Sequence, residues 1–435
     1  MGIMRQIDME SLVHYEHSHD DESLVIVARV ILKEEIRSDC MQRALEQAVK
    51  RHRLFRCMLA SEGRGLVYRE TSAKPVLQKR RKKFRLGSAE LNHLPYRISC
   101  HGRELMLSLH HGLTDGYGTV EFIRTLLYYY FCEMGMEIPD AGTIRRNEVP
   151  FDEEAEFELS HVKYYDPEMP QQPQQPSGPV VPFGLPVSYW DEENRFLYKR
   201  FKITLSAAEI LAFAHRSGSS ATAVVTSLIS KAFVRAYDLE GKLLISSITS
   251  NLRYLLPSQS LQNFSGYFIM FYAPNMHSLS LGETAAAMKG IIQMNNTRSA
   301  LLRLIHERTN RGREVMKMPV QELFEDKPET RQQKREVRQR LGYLLTNVGK
   351  LDVPDALASG IEDMELYIPG ITAPVVFGMN TVGDRMTLSV SQSFEEDALI
   401  QGFCEVCREN GLAVAVKDMG KEEFDTLGID AVEMI

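Results

Sequence analysis

The sequence predicts a layered α/β protein made of two halves. Both parts of the chain contain stretches with period-2 alternation, typical of strands, and stretches with apolar residues at three- and four-residue steps, typical of helices. A chain of 435 residues is also too long for one ordinary hydrophobic core. A segment rich in Pro and Gln indicates a linker. We therefore predict a first half at residues 1–166, a linker at 167–182 and a second half at 183–435.

The composition is that of a globular protein. Hydrophobic residues make up 44% of the chain and charged residues 25%. The net charge of −7 argues against a nucleic-acid-binding protein that relies on overall positive charge. No apolar run approaches the roughly 20 residues that span a bilayer, and the N-terminus has no signal-peptide pattern. We expect a soluble, cytoplasmic protein without an integral membrane segment.

Two groups of potential metal ligands are better explained without a metal. The six cysteines are too sparse for a disulfide framework, and Cys404 and Cys407 form a lone C-x-x-C pair in an expected helix. His14, His17 and His19 lie in a polar segment where no further ligands are spaced to complete a site. We therefore expect no metal site.

The stretch most suited to chemistry is a strand, a short turn and a helix. Residues 104–110 have leucine at every second position, which predicts a strand with one apolar face. After Gly116, apolar residues recur at helical spacing to about residue 133. If the alternation runs to the end of the strand, His111 lies on the leucine face. A neutral imidazole there can serve as a general base, because an apolar surround disfavours the imidazolium.

The other predicted elements alternate around this unit. In the first half we predict a strand at 23–32, a helix at 38–52 and a strand at 96–100. In the second half we predict strands at 196–204, 243–250, 267–272, 341–347, 375–380 and 386–391, helices at 219–237 and 395–410, and a mainly helical region at 281–340.

Two groups of basic residues are candidates for contact with negatively charged groups. Arg56 lies among apolar residues where a strand begins, and a half-buried arginine usually needs a carboxylate. The strong basic run of the chain consists of Lys79, Arg80, Arg81, Lys82 and Lys83. Such runs are usually solvated loops, and the functional alternatives are a dock for a phosphate-bearing substrate or for an acidic protein partner.

Residues 110–116, His-His-Gly-Leu-Thr-Asp-Gly, resemble the HHxxxDG motif of thioester-dependent acyltransferases. This superfamily includes chloramphenicol acetyltransferase, the condensation domains of nonribosomal peptide synthetases, and alcohol acetyltransferases. Three further similarities follow in order: residues 51–56 to the Arg-His-x-x-Leu-Arg segment of condensation domains, residues 251–253 with 263–266 to a segment of alcohol acetyltransferases, and residues 346–349 to a Ser/Thr-Asn-x-Gly segment. The resemblance spans about residues 10–411. The Asp-Phe-Gly-Trp-Gly segment of the plant-type enzymes is absent.

The resemblance implies two chloramphenicol acetyltransferase-like subdomains that form a V-shaped pseudo-dimer with a central tunnel. His111 would be the general base that removes a proton from an alcohol or amine, which contributes about 10²–10⁴ in rate. Asp115 would form a buried salt bridge that holds the turn, with Arg56 as its first candidate partner and Arg51 as its second. Gly116 would keep the tunnel open.

The resemblance also implies the remaining parts of the site. His110 belongs to the catalytic motif, and Thr346 or Asn347 would donate a hydrogen bond to the tetrahedral intermediate. No tightly bound cofactor is implied. Acyl-coenzyme A, or a phosphopantetheinyl thioester on an acyl or peptidyl carrier protein, would be the co-substrate, and the run at 79–83 would dock the anionic donor.

The leading hypothesis is an enzyme that transfers acyl groups other than aminoacyl groups from coenzyme A to an alcohol or amine. The first alternative is a free-standing condensation enzyme that uses a carrier-protein thioester. The second is a non-catalytic descendant of the fold that binds a ligand or partner. Retention of His111, Asp115 and Gly116 together argues against this last alternative.

Overall fold

A computed structural model of the protein describes residues 3–16, 18, 24–79, 84–139, 141–170, 181–185, 189, 197–325, 328–369, 372–423, 425–427 and 431–434. Arg80–Lys83, His17, His19 and residues 171–180 of the expected linker lie outside the described residues. The anion dock at 79–83 and the linker boundaries therefore stay predictions.

Strands and helices alternate along both halves. The strands are β1 (Met4–Arg5), β2 (Val25–Leu32), β3 (Cys57–Glu62), β4 (Gly65–Glu70), β5 (Leu77–Gln78), β6 (Tyr96–His101), β7 (Glu104–His110), β8 (Leu197–Ser206), β9 (Leu244–Asn251), β10 (Ser265–Tyr272), β11 (Tyr343–Lys350), β12 (Ile361–Tyr367), β13 (Val375–Val382), β14 (Arg385–Gln392), β15 (Val414–Glu423) and β16 (Val432–Met434). The helices are α1 (Met9–Tyr15), α2 (Ser38–Arg51), α3 (Gly116–Glu133), α4 (Ser160–Lys163), α5 (Ala207–Arg216), α6 (Ala221–Ala236), α7 (Leu281–Asn295), α8 (Arg298–Met316), α9 (Val320–Leu323), α10 (Pro328–Gln339), α11 (Asp355–Ala358) and α12 (Ala398–Glu409).

The motif strand β7 lies in the middle of a five-stranded sheet with the order β12-β2-β7-β6-β5. It pairs antiparallel with both β2 and β6. Leu105, Leu107 and Leu109 are fully buried, in the same core as Leu45 of α2 and Leu126 of α3. The period-2 leucines therefore face the helices of the first half, which fixes where β7 ends and where the motif turn begins.

The second half is built on a seven-stranded sheet with the order β10-β9-β11-β13-β14-β8-β15. Strand β11 runs parallel to both of its neighbours, β9 and β13. The core of this half includes Phe233 of α6, Phe377 of β13 and Phe403 of α12. The β11–β13 register shifts between Asn347 and Gly349, so β11 carries an irregularity near its carboxyl end.

Two strands from the second half complete sheets of the first half. β12 pairs with β2, and β16 pairs with β3. Buried charges also link the two halves, because Glu365 of β12 accepts hydrogen bonds from Arg200 of β8 (2.5 Å) and Arg29 of β2 (2.6 Å). The two halves are therefore joined by strand pairing and charge as well as by the chain between them.

The elements expected from periodicity are confirmed, with differences of a few residues at their ends. Strands β1, β4, β5, β12, β15 and β16 were not expected. Strand β15 carries a run of charged residues and is largely exposed, because it is the edge strand of its sheet. Acidic residues interrupt the apolar pattern of β12, where Asp363 and Glu365 are buried in ion pairs. In the part of the chain that the structure describes, no helix is long and apolar enough to cross a membrane.

Candidate active site

The motif turn begins where the β7 ladder ends. His110 is the last residue of the strand and pairs with Val25 of β2. The N–H of His111 donates to the carbonyl of Leu24 at 2.7 Å, and Asp115 is the N-cap of α3. Pairing with the β2 side therefore continues one residue past the strand, and the expected position of His111 on the leucine face stays a prediction. His111 itself lies in the turn between β7 and α3.

His110 is fully buried and bonded at both ring nitrogens. Its Nδ1 accepts a hydrogen bond from the N–H of Gly112 (3.0 Å), so the ring proton is on Nε2, which contacts Ser18 Oγ. The ring of Tyr15 stacks on the imidazole at 4.7 Å. Burial, followed by the nearby His111, lowers the pKa of His110 to about 3. His110 is thus a neutral residue that holds the turn.

One ring nitrogen of His111, Nδ1, is hydrogen-bonded within the protein, and the other, Nε2, can accept a proton. Its Nδ1 lies 2.9 Å from Asn263 Oδ1. The orientation of this amide follows from its other end, where Nδ2 donates to the carbonyl of His111 (2.7 Å) and to Ser11 Oγ (2.9 Å). Asn263 Oδ1 must then accept from Nδ1–H, which leaves the lone pair on Nε2. Burial lowers the pKa of His111 below its ordinary value, so this nitrogen is unprotonated at neutral pH.

Helix α1 places one ring against each motif histidine. Tyr15 stacks on His110, and the His14 ring lies 4.3 Å from that of His111 at a tilt of 41°. Glu10, one turn earlier in α1, has a carboxylate oxygen 3.7 Å from His14 Nε2. From the sequence, His14 was expected only to be part of a polar segment. The helical position next to Tyr15 shows instead that this segment packs on the site.

The buried partner of Asp115 is Arg253. Arg253 Nη1 donates to Asp115 Oδ2 at 2.6 Å, and the N–H of Phe264 donates to the same oxygen at 2.9 Å. The other oxygen accepts from the N–H of Gly118 at 3.0 Å. The side chains of Asp115 and Arg253 are 2% and 6% exposed. The pair therefore fastens the start of α3 to the β9–β10 segment of the second half.

The expected pairing of Asp115 with Arg56 or Arg51 is wrong. Arg51 Nη1 instead donates to the buried carboxylate of Glu156 at 2.6 Å. Arg56 lies in a short 3-10 turn before β3 and lines a cleft described below. The resemblance of residues 51–56 to a motif could not supply the partner, because the pairing depends on how the β9–β10 segment packs on α3.

A cavity of about 590 Å³ lies between the two halves. His111, Asp115 and Gly116 line it from the first half, and Thr346 and Asn347 line it from β11. Its wall also contains apolar side chains from both halves: Val120, Ile248, Phe268, Ile292 and Leu301. The cavity therefore brings the motif histidine and the β11 residues to one space between the halves.

Gly116 allows α3 to approach β11. A Cβ added at Gly116 would lie 2.7 Å from Val348 Cγ1, closer than real carbon contacts. Gly116→Ala should therefore destabilise the fold by about 1–3 kcal/mol, the usual cost of overpacking. Urea unfolding measures the change. Adding Val348→Ala should restore most of the loss, and a loss that the second change leaves unaltered would refute the contact.

Thr346 and Asn347 are not equivalent. Asn347 Oδ1 accepts from the N–H of Gly349 (2.8 Å), and its Nδ2 donates to Thr222 Oγ1 (3.0 Å). These bonds hold the irregular turn of β11. Thr346 Oγ1 accepts from Thr249 Oγ1 at 3.1 Å, which leaves the Thr346 hydroxyl proton available. Thr346 is therefore the better of the two expected donors.

In the described ranges, no group of three or more His, Cys, Asp or Glu side chains is arranged to hold a metal ion. Of the predicted anion dock, only Lys79 is described, and it is not among the residues that line the cavity.

Comparisons with known proteins give a structural likeness. No family model and no curated protein matches the sequence. Solved structures match along nearly the whole chain. The condensation domain from the Monacolin K polyketide synthase MokA has a TM-score of 0.59 and 11% identity, and the match covers 93% of this chain and 96% of that one. The chain shares the fold of this condensation domain.

Two acetyltransferase-type structures share this fold. The TRI3 trichothecene 15-O-acetyltransferase from Fusarium sporotrichioides has a TM-score of 0.57 and 13% identity, with 94% and 95% of the two chains covered. F. graminearum TRI101, complexed with coenzyme A and T-2 mycotoxin, has a TM-score of 0.55 and 12% identity, with 92% and 96% covered. The two-subdomain fold inferred from the sequence is thus confirmed.

The second half and α1 contribute side chains at the site that the sequence did not predict. Arg253 and Asn263 both lie in segments whose resemblance was noted, yet no role was assigned to either residue. The side chains they contact are 138 and 152 residues away in the sequence. A spacing of that size carries no local periodic signal.

Proposed function

We propose that the protein is an acyltransferase that moves an acyl group from a thioester, most directly coenzyme A, to an alcohol or amine, with His111 as general base. The observation that carries the proposal is the hydrogen bond from His111 Nδ1–H to Asn263 Oδ1. It fixes the tautomer in which Nε2 carries a lone pair, and the same histidine lines the cavity between the halves.

The proposed step uses one base, in the cavity between the halves. His111 Nε2 takes the proton from the acceptor O–H or N–H as the acceptor atom attacks the thioester carbonyl carbon. The tetrahedral intermediate collapses with cleavage of the C–S bond, and the leaving thiolate takes the proton back from the His111 imidazolium. Asp115 has no direct part in this step, since Arg253 and two backbone N–H groups occupy its oxygens.

Structures with this fold support both forms of the donor. F. graminearum TRI101 was solved with coenzyme A, and TRI3 is a 15-O-acetyltransferase. The MokA domain is a condensation domain of a polyketide synthase. We favour free coenzyme A for this chain, and loaded carrier protein is the alternative donor.

The test is acceptor-dependent thiol release. Purified protein is mixed with acyl-coenzyme A thioesters of increasing chain length and pooled alcohols and amines, and free thiol and product mass are followed. We expect release that needs an acceptor and disappears in a folded His111→Ala variant. Release only from loaded carrier proteins would establish the condensation-type alternative. Binding of thioesters with no turnover from either donor would overturn the proposal and favour a non-catalytic binding protein.

The oxyanion donor can be tested within the same assay. If the Thr346 hydroxyl bonds to the tetrahedral intermediate, Thr346→Val should lower kcat by up to about 10²–10³ and change KM little. Thr346→Ser keeps the hydroxyl and should retain most of the activity. Equal losses in both variants would show that the residue acts through packing against Thr249.

A further inference from the structure

A second cleft lies in the first half, away from the motif. It has a volume of about 950 Å³ and is lined by four cationic side chains, those of Lys50, Arg53, Arg56 and Arg69. It shares no lining residue with the cavity that contains His111. The 3-10 turn after α2 places Arg53 and Arg56 here, and β4 contributes Arg69.

The carboxylates at this cleft are already engaged. Arg53 donates to Glu70 at 2.7 and 3.0 Å and also contacts Glu153. Glu70 accepts a further hydrogen bond from Arg5 at 2.9 Å. Arg69 forms an ion pair with Glu433. Each of these cations therefore has a counter-ion within the protein.

Arg56 and Lys50 are different. Arg56 is half-buried. Its backbone carbonyl accepts a hydrogen bond from the N–H of Thr71 at 2.9 Å. Within the described ranges, no hydrogen bond or ion pair reaches its guanidinium or the Lys50 ammonium. The sequence had led us to expect a carboxylate for Arg56, and the fold supplies none.

The residues that line the cleft carry more positive than negative charge, and Glu433, the partner of Arg69, lies outside that lining. The lining has four cations against two carboxylates, Glu70 and Glu153. A half-buried guanidinium loses part of its hydration and gains nothing in exchange unless an anion is present. Arginine groups bind planar and tetrahedral oxyanions through paired N–H donors, and a nearby lysine adds a point charge. Thr71 also lines the cleft, and its Oγ1 accepts from the N–H of Ala73, so its proton can be donated.

We propose that this cleft is a binding site for a doubly charged oxyanion of the phosphate class, held by Arg56 and Lys50. The site goes beyond the proposed acyl transfer, because it is separate from the reaction cavity. A phosphate monoester and inorganic phosphate present the same charged group, and the 950 Å³ volume leaves room for a group attached to it.

The experiment is titration calorimetry of the full chain at low ionic strength with two probes, inorganic phosphate and glycerol 3-phosphate. We expect saturable binding that Arg56→Gln weakens about 10- to 100-fold, as removal of a charged hydrogen bond does. Tighter binding of glycerol 3-phosphate would identify a monoester as the ligand, and tighter binding of inorganic phosphate would identify the free ion. Either result supports the site.

The matched control is Arg64→Gln. Arg64 is exposed on the turn between β3 and β4 and does not line the cleft, so this change removes the same charge without touching the site. It should leave the affinity within about twofold. Equal weakening by both variants would show non-specific attraction, and no saturable binding would exclude the site. Thermal unfolding of each variant confirms that it is folded, and Lys50→Gln provides a second variant of the site on an exposed side chain.

Discussion

The His111→Ala variant is expected to lose about 10²–10⁴ in kcat, the usual contribution of a general base. The loss should appear with KM little changed, because the imidazole acts on the acceptor proton and not on substrate binding. His110→Ala should mainly affect stability and not the chemical step. His110 holds the turn through Gly112 and Ser18 and packs on Tyr15, so its removal should mainly lower the free energy of unfolding.

The pH dependence follows from the lowered pKa of His111. Burial lowers the pKa of His111 below its ordinary value of 6.5. The imidazole therefore stays neutral at pH 6.5, and the acid limb of kcat should lie below that pH. Asn263→Asp places a carboxylate on Nδ1–H and favours the imidazolium. The acid limb should then move to higher pH. A limb unchanged in Asn263→Asp would contradict the role of the Asn263 bond, and full activity in His111→Ala would place the base elsewhere.

Removing Arg253 should be the largest stability change in the site. Arg253→Met leaves the Asp115 carboxylate buried with two backbone donors and no counter-ion. It also removes donors from the carbonyls of Ser260 (2.9 Å) and Gln262 (2.8 Å). Breaking a buried pair in this way costs about 3–5 kcal/mol. Urea unfolding measures the loss, and activity should fall only as far as the folded fraction does.

The double variant and an exposed pair provide the controls. Adding Asp115→Asn to Arg253→Met should recover part of the loss, because it removes the buried charge that was left unpaired. Arg235 and Glu409 form an ion pair at 2.6 Å whose side chains are 46% and 53% exposed. Arg235→Met should cost about 1 kcal/mol or less. If Arg253→Met costs no more than Arg235→Met, the pair does not fasten the halves.

The sequence was sufficient to predict those elements whose pattern extends over only a few neighbouring residues. The period-2 leucines of β7 and the helical spacing after Gly116 located the strand, turn and helix, because each pattern extends over only a few residues. The order of His110, His111, Asp115 and Gly116 within that turn was equally local. It supported the resemblance that the structural likeness has now confirmed at the level of fold.

Only the tertiary structure decided which side chains meet. The β9–β10 segment of the second half brings Arg253 to Asp115 and Asn263 to His111, across 138 and 152 residues of sequence. It also left Arg56 facing a cleft without the expected carboxylate. A buried charge requires a partner, and the sequence is enough to predict that one is needed. The sequence does not identify the partner, because the pairing depends on how two distant segments pack. The burial of their apolar faces determines that packing.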